Sequence, residues 1–138
     1  GVIVGQVTLA PADDSWQGLT NTYEIAIEVS AGWRRRGIAR QLLQLVFERD
    51  CLDDLIIIGM GFSWHWETDD LGLTRFAYRT MIERLFAHYG FTEYLTSERN
   101  IRMDPANIFL ARLGPRVATT TISQFYNQLL QSDTLPGM

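Results

Sequence analysis

The most constraining stretch of this sequence is a short turn, rich in glycine and arginine, that joins an apolar strand to an amphipathic helix. Apolar and polar residues alternate over Tyr23 to Val29, and the chain then reads Arg34-Arg35-Arg36-Gly37-Ile38-Ala39-Arg40. A helix N-terminus offers backbone N–H groups without partners and the positive end of the helix dipole. Because the arginines add further positive charge, the stretch predicts an anion site at Arg34 to Arg40, suited to a phosphate-bearing cofactor.

The small residues of this turn strengthen that interpretation. Gly37 and Ala39 would let a diphosphate lie directly against the backbone. The alternative is an ordinary strand-to-helix connection whose arginines are solvated. Strand, turn, glycine spacing and helix occur together in the order that a phosphate site requires, which favours the first interpretation over an isolated R-x-x-G-x-A string.

Composition and charge exclude several classes of protein. The 138 residues are 46% hydrophobic and include no tract long enough to span a membrane, which is typical of one globular domain. The net charge of −4, with arginines gathered in separate places, argues against nucleic acid as a partner. The single cysteine, Cys51, excludes an internal disulfide and indicates a reducing compartment, so we expect a cytoplasmic protein. His65, His88 and Cys51 lack the spacing of metal ligands, and no metal site is expected.

The order of predicted elements is β-β-α-β-α-β-α, which indicates a single α/β domain followed by a tail over 132–138. The expected strands cover Val2 to Leu9, Thr22 to Val29, Leu55 to Met60 and Phe91 to Thr96. The expected helices cover Gly37 to Asp50, the stretch from an N-cap at Thr74 to Tyr89 with Gly90 as its stop, a short segment from Asp104-Pro105-Ala106-Asn107 to near Gly114, and Ser123 to Leu130. We expect Gly61 to Leu73 to be a loop or strand extension.

The motifs of this chain resemble those of a known enzyme family. The pattern Val29-x-x-x-x-Arg34-x-x-Gly37-x-Ala39 resembles motif A of the GNAT N-acetyltransferases. Four further blocks, in similar order and spacing, resemble the acetoin-utilisation acetyltransferases: Ala26-Ile27-Glu28-Val29, Trp64-His65-Trp66-Glu67, Tyr78-Arg79-x-Met81-x-Glu83, and Asp104-Pro105-Ala106-Asn107 with Ala111-Arg112-x-Gly114. The resemblance implies the GNAT acyl-CoA N-acyltransferase fold, a mixed sheet with helices, as a single domain over 1–131. It also implies that the N-terminal strand and two helices of a complete domain are missing here, because they were trimmed, belong to another chain or are disordered.

The activity implied by the resemblance is acetyl transfer from acetyl-CoA to a protein lysine, by direct attack in a ternary complex. The known substrate of the acetoin-utilisation enzymes is a lysine of acetyl-CoA synthetase, which is therefore the expected protein partner. Two alternatives stay open: a small-molecule amine acetyltransferase on the same scaffold, and a module that senses CoA without catalysing a reaction.

The resemblance also assigns residues to the cofactor. The backbone N–H of Val29 would stabilise the oxyanion of the tetrahedral intermediate, while Ile27 to Val29 would pair with the pantetheine arm as with an added strand. For Val29 the alternative is a plain core valine. Backbone N–H groups from Arg35 to Ala39 would hold the pyrophosphate, with Arg34 and Arg40 near the remaining phosphates. The complete expected set is Ile27, Glu28, Val29, Arg34, Arg35, Arg36, Gly37, Ile38, Ala39 and Arg40.

Acetylation of a lysine needs a proton acceptor, because an amine with a pKa of about 10.4 is almost wholly charged at neutral pH. Glu24 is one candidate. The base of related enzymes aligns with Tyr23, so Glu24 would reach the site only through a β-bulge, since a one-residue shift flips the face of a strand. The alternative is a strand glutamate that faces the surface.

His65 and Glu67 form the second candidate centre for the proton acceptor. The alternative is that Trp64 and Trp66 pack as an aromatic cluster, with His65 hydrogen-bonded between them.

The general acid that would protonate the departing thiolate stays without an assignment. Seven residues beyond Asn107, where related enzymes have a tyrosine, this chain has Gly114. Tyr78 and Tyr89 are substitutes, although helical spacing favours packing roles for both.

Overall fold

A mixed sheet in which the second and third strands run parallel organises the chain. The computed structural model describes residues 1–12, 16, 18–49, 51–66 and 68–131. The spatial order of the five strands is β1-β2-β3-β5-β4, and their bounds are β1 (Gly5–Pro11), β2 (Thr22–Val29), β3 (Ile56–Gly61), β4 (Thr92–Glu93) and β5 (Ile108–Leu113). The other neighbouring pairs are antiparallel. The predicted mixed α/β class is confirmed.

The helices follow the sequence signals closely where capping residues are present. Their bounds are α1 (Ile38–Arg49), α2 (Thr68–Leu71), α3 (Arg75–Ala87), α4 (Arg99–Arg102) and α5 (Thr119–Leu129). The hydroxyl of Thr74 accepts a hydrogen bond from the N–H of Ala77 at 3.1 Å, which confirms the predicted N-cap of α3. The predicted stop, Gly90, has a φ of 90°, a conformation that side chains with a Cβ rarely adopt.

Each face of the sheet packs against different helices, because side chains alternate along each strand. On one face, Ile25 of β2 and Ile57 of β3 belong to a core that also contains Leu43 of α1 and apolar side chains of α3. On the opposite face, Ile56 and Ile58 of β3 pack in a second core with Trp16 and two side chains of α5, Phe125 and Leu129. The alternation of β2 places Glu24 on the α5 face.

The short helix predicted from Asp104–Asn107 to near Gly114 is wrong. Asn107 closes a turn by donating its N–H to the carbonyl of Asp104 at 3.0 Å, and Ile108–Leu113 then forms β5. This strand lies between β3 and β4 and its first four residues are buried, so its continuous apolar run serves both faces of the sheet. Counting seven residues along a helix from Asn107 therefore cannot locate the general acid, because the segment is a strand.

Other predicted elements are shifted or shortened. The strand predicted over Val2 to Leu9 occupies Gly5–Pro11, and the one predicted over Phe91 to Thr96 is reduced to β4. The loop predicted over Gly61 to Leu73 contains a 3-10 turn at Ser63–His65 as well as α2. The predicted tail over 132–138 lies outside the described residues.

Candidate active site

The two parallel strands separate after a short ladder. Pairing between β2 and β3 joins Thr22 to Ile56 and ends at Glu24 and Ile58, although β2 continues to Val29. β1 pairs with β2 along its whole length, and β5 pairs with β3 as far as Gly61. The opening, here named the strand gap, therefore lies in the middle of the sheet. An extended ligand carrying amide groups fits such a gap, because it would pair with backbone N–H and C=O groups on both sides.

The strand that carries Glu24 contains no bulge within its described pairing. Its partners on β1 run one to one from Gly5 opposite Val29 to Pro11 opposite Tyr23. The bulge that would bring Glu24 to the side of Tyr23 is therefore absent from this pairing. Glu24 is half-buried, and it faces away from α1.

The turn that joins β2 to α1 is bent by left-handed residues. Arg35 has a φ of 66° and Gly37 a φ of 75°. The carbonyl of Gly37 accepts the N–H of Gln41 at 3.0 Å, which places Gly37 at the N-cap. By helix geometry, the N–H groups of Ile38 and Ala39 have no acceptor within the helix, and a glycine cap offers them no side chain. A Cβ on Gly37 would meet nothing within 4 Å, so the space above the turn is open. This geometry suits an anion held by backbone N–H groups.

Two arginine side chains of the turn donate to backbone carbonyls. Arg34 Nε donates to the carbonyl oxygen of Val29 at 3.1 Å, which ties the turn to the end of β2. Arg35 donates to the carbonyl of Leu71 at the end of α2, which ties the turn to that helix. This second contact leaves no signal in the sequence, because its acceptor is a backbone carbonyl 36 residues away.

The remaining arginines of the turn stay exposed. The guanidinium of Arg36 lies over the ring of Trp33, 4.7 Å from its centroid. Among the described residues, Arg35, Arg36 and Arg40 take part in no ion pair. Within the described part of the chain, positive charge without a carboxylate partner is therefore concentrated at the N-terminus of α1.

Two aromatic stacks lie beyond the end of β3. Phe62 stacks on Trp64 with centroids 5.0 Å apart and planes within 3°, while Trp66 stacks on Tyr78 of α3 at 4.9 Å and 15°. The two tryptophans thus belong to separate stacks. A Cβ built on Gly61 would lie 3.1 Å from the Trp66 ring, so this ring covers the last residue of the β3 side of the gap.

The second candidate centre is only partly described. His65 is exposed, and its imidazole makes no hydrogen bond or ion pair with the described part of the chain; the predicted bridge between the tryptophans is absent there. Its ring lies 6.2 Å from that of Phe62 and 6.1 Å from that of Trp64. Glu67 lies outside the described residues.

The two candidate tyrosines differ in their surroundings. The hydroxyl of Tyr89 donates to the carbonyl of Arg40 at 3.1 Å and lies 3.2 Å from an amide oxygen of Gln44, which ties the end of α3 to α1. Tyr78 is half-buried and stacks on Trp66, beside the strand gap. Of the two, only Tyr78 stacks on the ring that covers Gly61 at the end of β3.

The other end of α1 holds a second arginine cluster and a cavity of about 550 Å³. Arg112 donates to the carbonyl of Leu52 and to the carboxylate of Asp53, both at 3.1 Å. Arg116 donates to Asp54 at 3.0 Å, and this hydrogen bond lowers the pKa of the Asp54 carboxyl. Because α1 has 12 residues, its length of about 18 Å separates this cluster from the turn at Arg34 to Arg40.

Metal-binding clusters and membrane-spanning helices are both absent from the described residues. They contain no group of three or more His, Cys, Asp or Glu side chains that could hold a metal ion. None of their helices is long and apolar enough to cross a membrane.

Comparison with known proteins finds consistent relatives. Residues 1–50 match the model of the acetyltransferase (GNAT) family. Over 128 residues the chain is 30% identical to the acetoin utilization protein AcuA of Bacillus licheniformis and 28% identical to that of Bacillus subtilis. Each alignment covers 89% of this chain and 61% of the relative, so the chain spans less than two thirds of these proteins.

Solved structures agree with the sequence relatives. The acetoin utilization protein from Exiguobacterium sibiricum superposes with a TM-score of 0.86 at 28% identity, over 93% of this chain and 63% of that one. A proposed phosphinothricin N-acetyltransferase superposes with a TM-score of 0.50 at 16% identity, over 80% of this chain and 60% of that one, and supports the fold alone.

Proposed function

We propose that this chain is a GNAT-type acetyltransferase that transfers the acetyl group of acetyl-CoA to the side-chain amine of a protein lysine, as its similarity to the GNAT family model and to the acetoin utilization proteins supports. One observation carries the proposal. The strand gap and the open, positively charged N-terminus of α1 meet at the end of β2, next to Val29. A ligand with an extended amide arm and a diphosphate would occupy both features at once.

The chain's own groups match the parts of acetyl-CoA, which supplies an acyl group activated as a thioester. The N–H groups of Ile38 and Ala39 would hold the pyrophosphate, with the guanidiniums of Arg36 and Arg40 near the phosphate oxygens. Ile27 to Val29 would pair with the amide arm. The N–H of Val29 would donate to the thioester carbonyl oxygen, where negative charge develops during attack.

The proton of the attacking amine needs an acceptor on this chain. His65 is exposed at the end of the β3 side of the gap, and imidazole is the side chain that enzymes use most often for this role. Glu24 is the second candidate; it lies on β2 where the ladder to β3 ends. Glu67 is the third, from the sequence pattern alone.

The expected protein acceptor is acetyl-CoA synthetase, in the cytoplasm, by analogy with the family that the motifs resemble. The names of the relatives support a role in acetoin utilization. Incubation of acetyl-CoA synthetase with the enzyme and acetyl-CoA, followed by mass spectrometry, tests this directly. We expect acetylation of one or a few lysines.

Variants of the candidate proton acceptors test which residue is the general base. His65→Ala and Glu24→Gln are compared with Glu48→Gln, a control on the exposed side of α1. Loss of the true base should slow acetylation by about 100-fold or more while the Kd for acetyl-CoA stays unchanged. If neither variant slows the reaction, both assignments are wrong.

Other outcomes separate the alternative functions. Acetylation of small amines but not of the protein would indicate a small-molecule enzyme. Tight CoA binding without turnover on either would indicate a sensor. A thermal shift assay that shows no stabilisation by millimolar acetyl-CoA would refute all three functions.

A further inference from the structure

A cluster of polar side chains joins four elements beside the end of β3, and the proposed chemistry does not use it. The N–H of Ser63 donates to Asn107 Oδ1 at 2.7 Å, and Ser63 Oγ donates to Asp104 Oδ2 at 2.5 Å. Asp104 also accepts from Arg75 Nε of α3 at 3.1 Å. We name Ser63, Asp104 and Asn107 the polar clamp.

Asn107 gives the clamp a single orientation. Its side chain is buried, with 4% of the residue exposed, and both ends of the amide are in use. While Oδ1 accepts from Ser63, Nδ2 donates to the carbonyl of Asn100 in α4 at 2.8 Å. A buried side-chain amide whose oxygen and nitrogen are both hydrogen-bonded cannot flip by 180° without losing the two bonds.

Asp104 holds its three donors as a carboxylate. The N–H of Ala106 donates to Oδ1 at 3.0 Å, and this bond, followed by those from Ser63 and Arg75, lowers the pKa of the carboxyl. Asp104 is therefore ionised throughout the neutral range, and the clamp does not loosen with pH there.

The clamp anchors the first residue of the turn that carries His65. Ser63 is held through both its backbone N–H and its hydroxyl, whereas His65, two residues on, is exposed and has no hydrogen-bonded partner for its imidazole among the described residues. The position of His65 relative to the strand gap thus depends on the backbone of this turn. The same holds for Trp66, whose ring covers Gly61.

We infer that the polar clamp positions the Ser63–Trp66 segment for the incoming acceptor amine. Ser63, Asp104 and Asn107 are positioning residues, because they act through this segment and not by contact with substrate. The inference rests on the proposed function. A clamp that only stabilised the fold would affect unfolding and leave use of the acceptor unchanged.

Ser63→Ala provides the test, because it removes one bond of the clamp and keeps the N–H to Asn107. We expect kcat/KM for the acetyl-CoA synthetase acceptor to fall by about tenfold, the equivalent of one charge-assisted hydrogen bond. The Kd for acetyl-CoA should stay within twofold. Ser63→Thr restores a hydroxyl and should recover most of the loss, and Ser123→Ala on the exposed side of α5 is the matched control.

Asp104→Asn is a second variant that keeps the shape of the side chain and removes its charge. It should lower kcat/KM for the acceptor at least as much as Ser63→Ala. If both variants unfold more readily but use the acceptor as well as the wild type, the inference is overturned. A wild-type enzyme that acetylates no acceptor would instead refute the proposed function, and the inference with it.

Discussion

The two ends of α1 carry arginines in opposite circumstances. At the C-terminal end, Arg112 and Arg116 are matched by the carboxylates of Asp53 and Asp54. At the N-terminal end, Arg36 and Arg40 have no carboxylate partner among the described residues, and the space above the turn is open. Residue type alone does not separate a structural arginine from a binding one. The presence or absence of a counter-charge does.

The distance between the two ends makes them electrostatically independent. A helix of 12 residues is about 18 Å long, roughly twice the Debye length at physiological ionic strength. The helix dipole is positive at the turn and negative at the paired cluster, so it favours an anion at the first end only. Substitutions at the two ends should therefore have separable effects.

The largest effect is expected at the turn that precedes α1. Replacing Arg36 and Arg40 together by Ala should raise the Kd for acetyl-CoA by roughly 10- to 100-fold, because two charge-assisted contacts to phosphate are lost. Isothermal titration calorimetry measures it. The control is Arg49→Ala, which removes a positive charge from the other end of the same helix. An equal loss of affinity in Arg49→Ala would mean that total charge matters more than position.

The next effect concerns stability. The side chain of Arg112 is 17% exposed, donates to Leu52 and Asp53, and lies over the ring of Phe47 at 5.1 Å. Its replacement by Ala removes the side-chain donor to the Leu52 carbonyl and the shortest hydrogen bond to the Asp53 carboxylate, so the free energy of unfolding should fall by about 2 kcal/mol. Urea titration measures this.

Affinity for acetyl-CoA provides the contrast at the same site. It should stay within twofold of the wild type in Arg112→Ala, and Arg112→Lys should recover only part of the lost stability. A marked loss of affinity in Arg112→Ala would contradict the independence of the two ends.

The smallest effect is expected for Arg116→Ala. The side chains of Arg116 and Asp54 are 54% and 60% exposed, so solvent screens the pair and neutral stability should change little. The pKa of Asp54 is lowered by Arg116, so the pair contributes stability above the ordinary carboxyl pKa and loses it as the pH falls through the folded pKa. Unfolding midpoints measured below about pH 4 should therefore fall less steeply in the variant than in the wild type.

The parts of the fold that sequence analysis predicted are those with local signals. The alternation of β2 and the capping pair Thr74 and Gly90 each depend on neighbouring residues, and the structure confirms them. The segment Ile108–Leu113 has no such signal. A continuous apolar run suits a buried strand or a buried helix equally, and the turn before it has the residues of an N-cap.

The candidate site also has one part with a local sequence signal and one part without. The glycine and arginine pattern of the turn is local, and the structure places these residues around one open helix N-terminus. Contacts between distant segments, such as Arg35 with Leu71 or Ser63 with Asp104, arise only when the sheet assembles. The proton acceptor depends on such contacts, and for that reason the sequence left Glu24, His65 and Glu67 as alternatives.

The early end of the ladder between β2 and β3 has a consequence for the working cycle. Beyond Glu24 and Ile58, the described residues of β2 and β3 no longer pair with each other in the centre of the sheet. If the arm of acetyl-CoA pairs there as proposed, the sheet is complete only while the donor is bound. Each product release would then remove a strand-like partner from the middle of the sheet. The domain would therefore be least stable between turnovers.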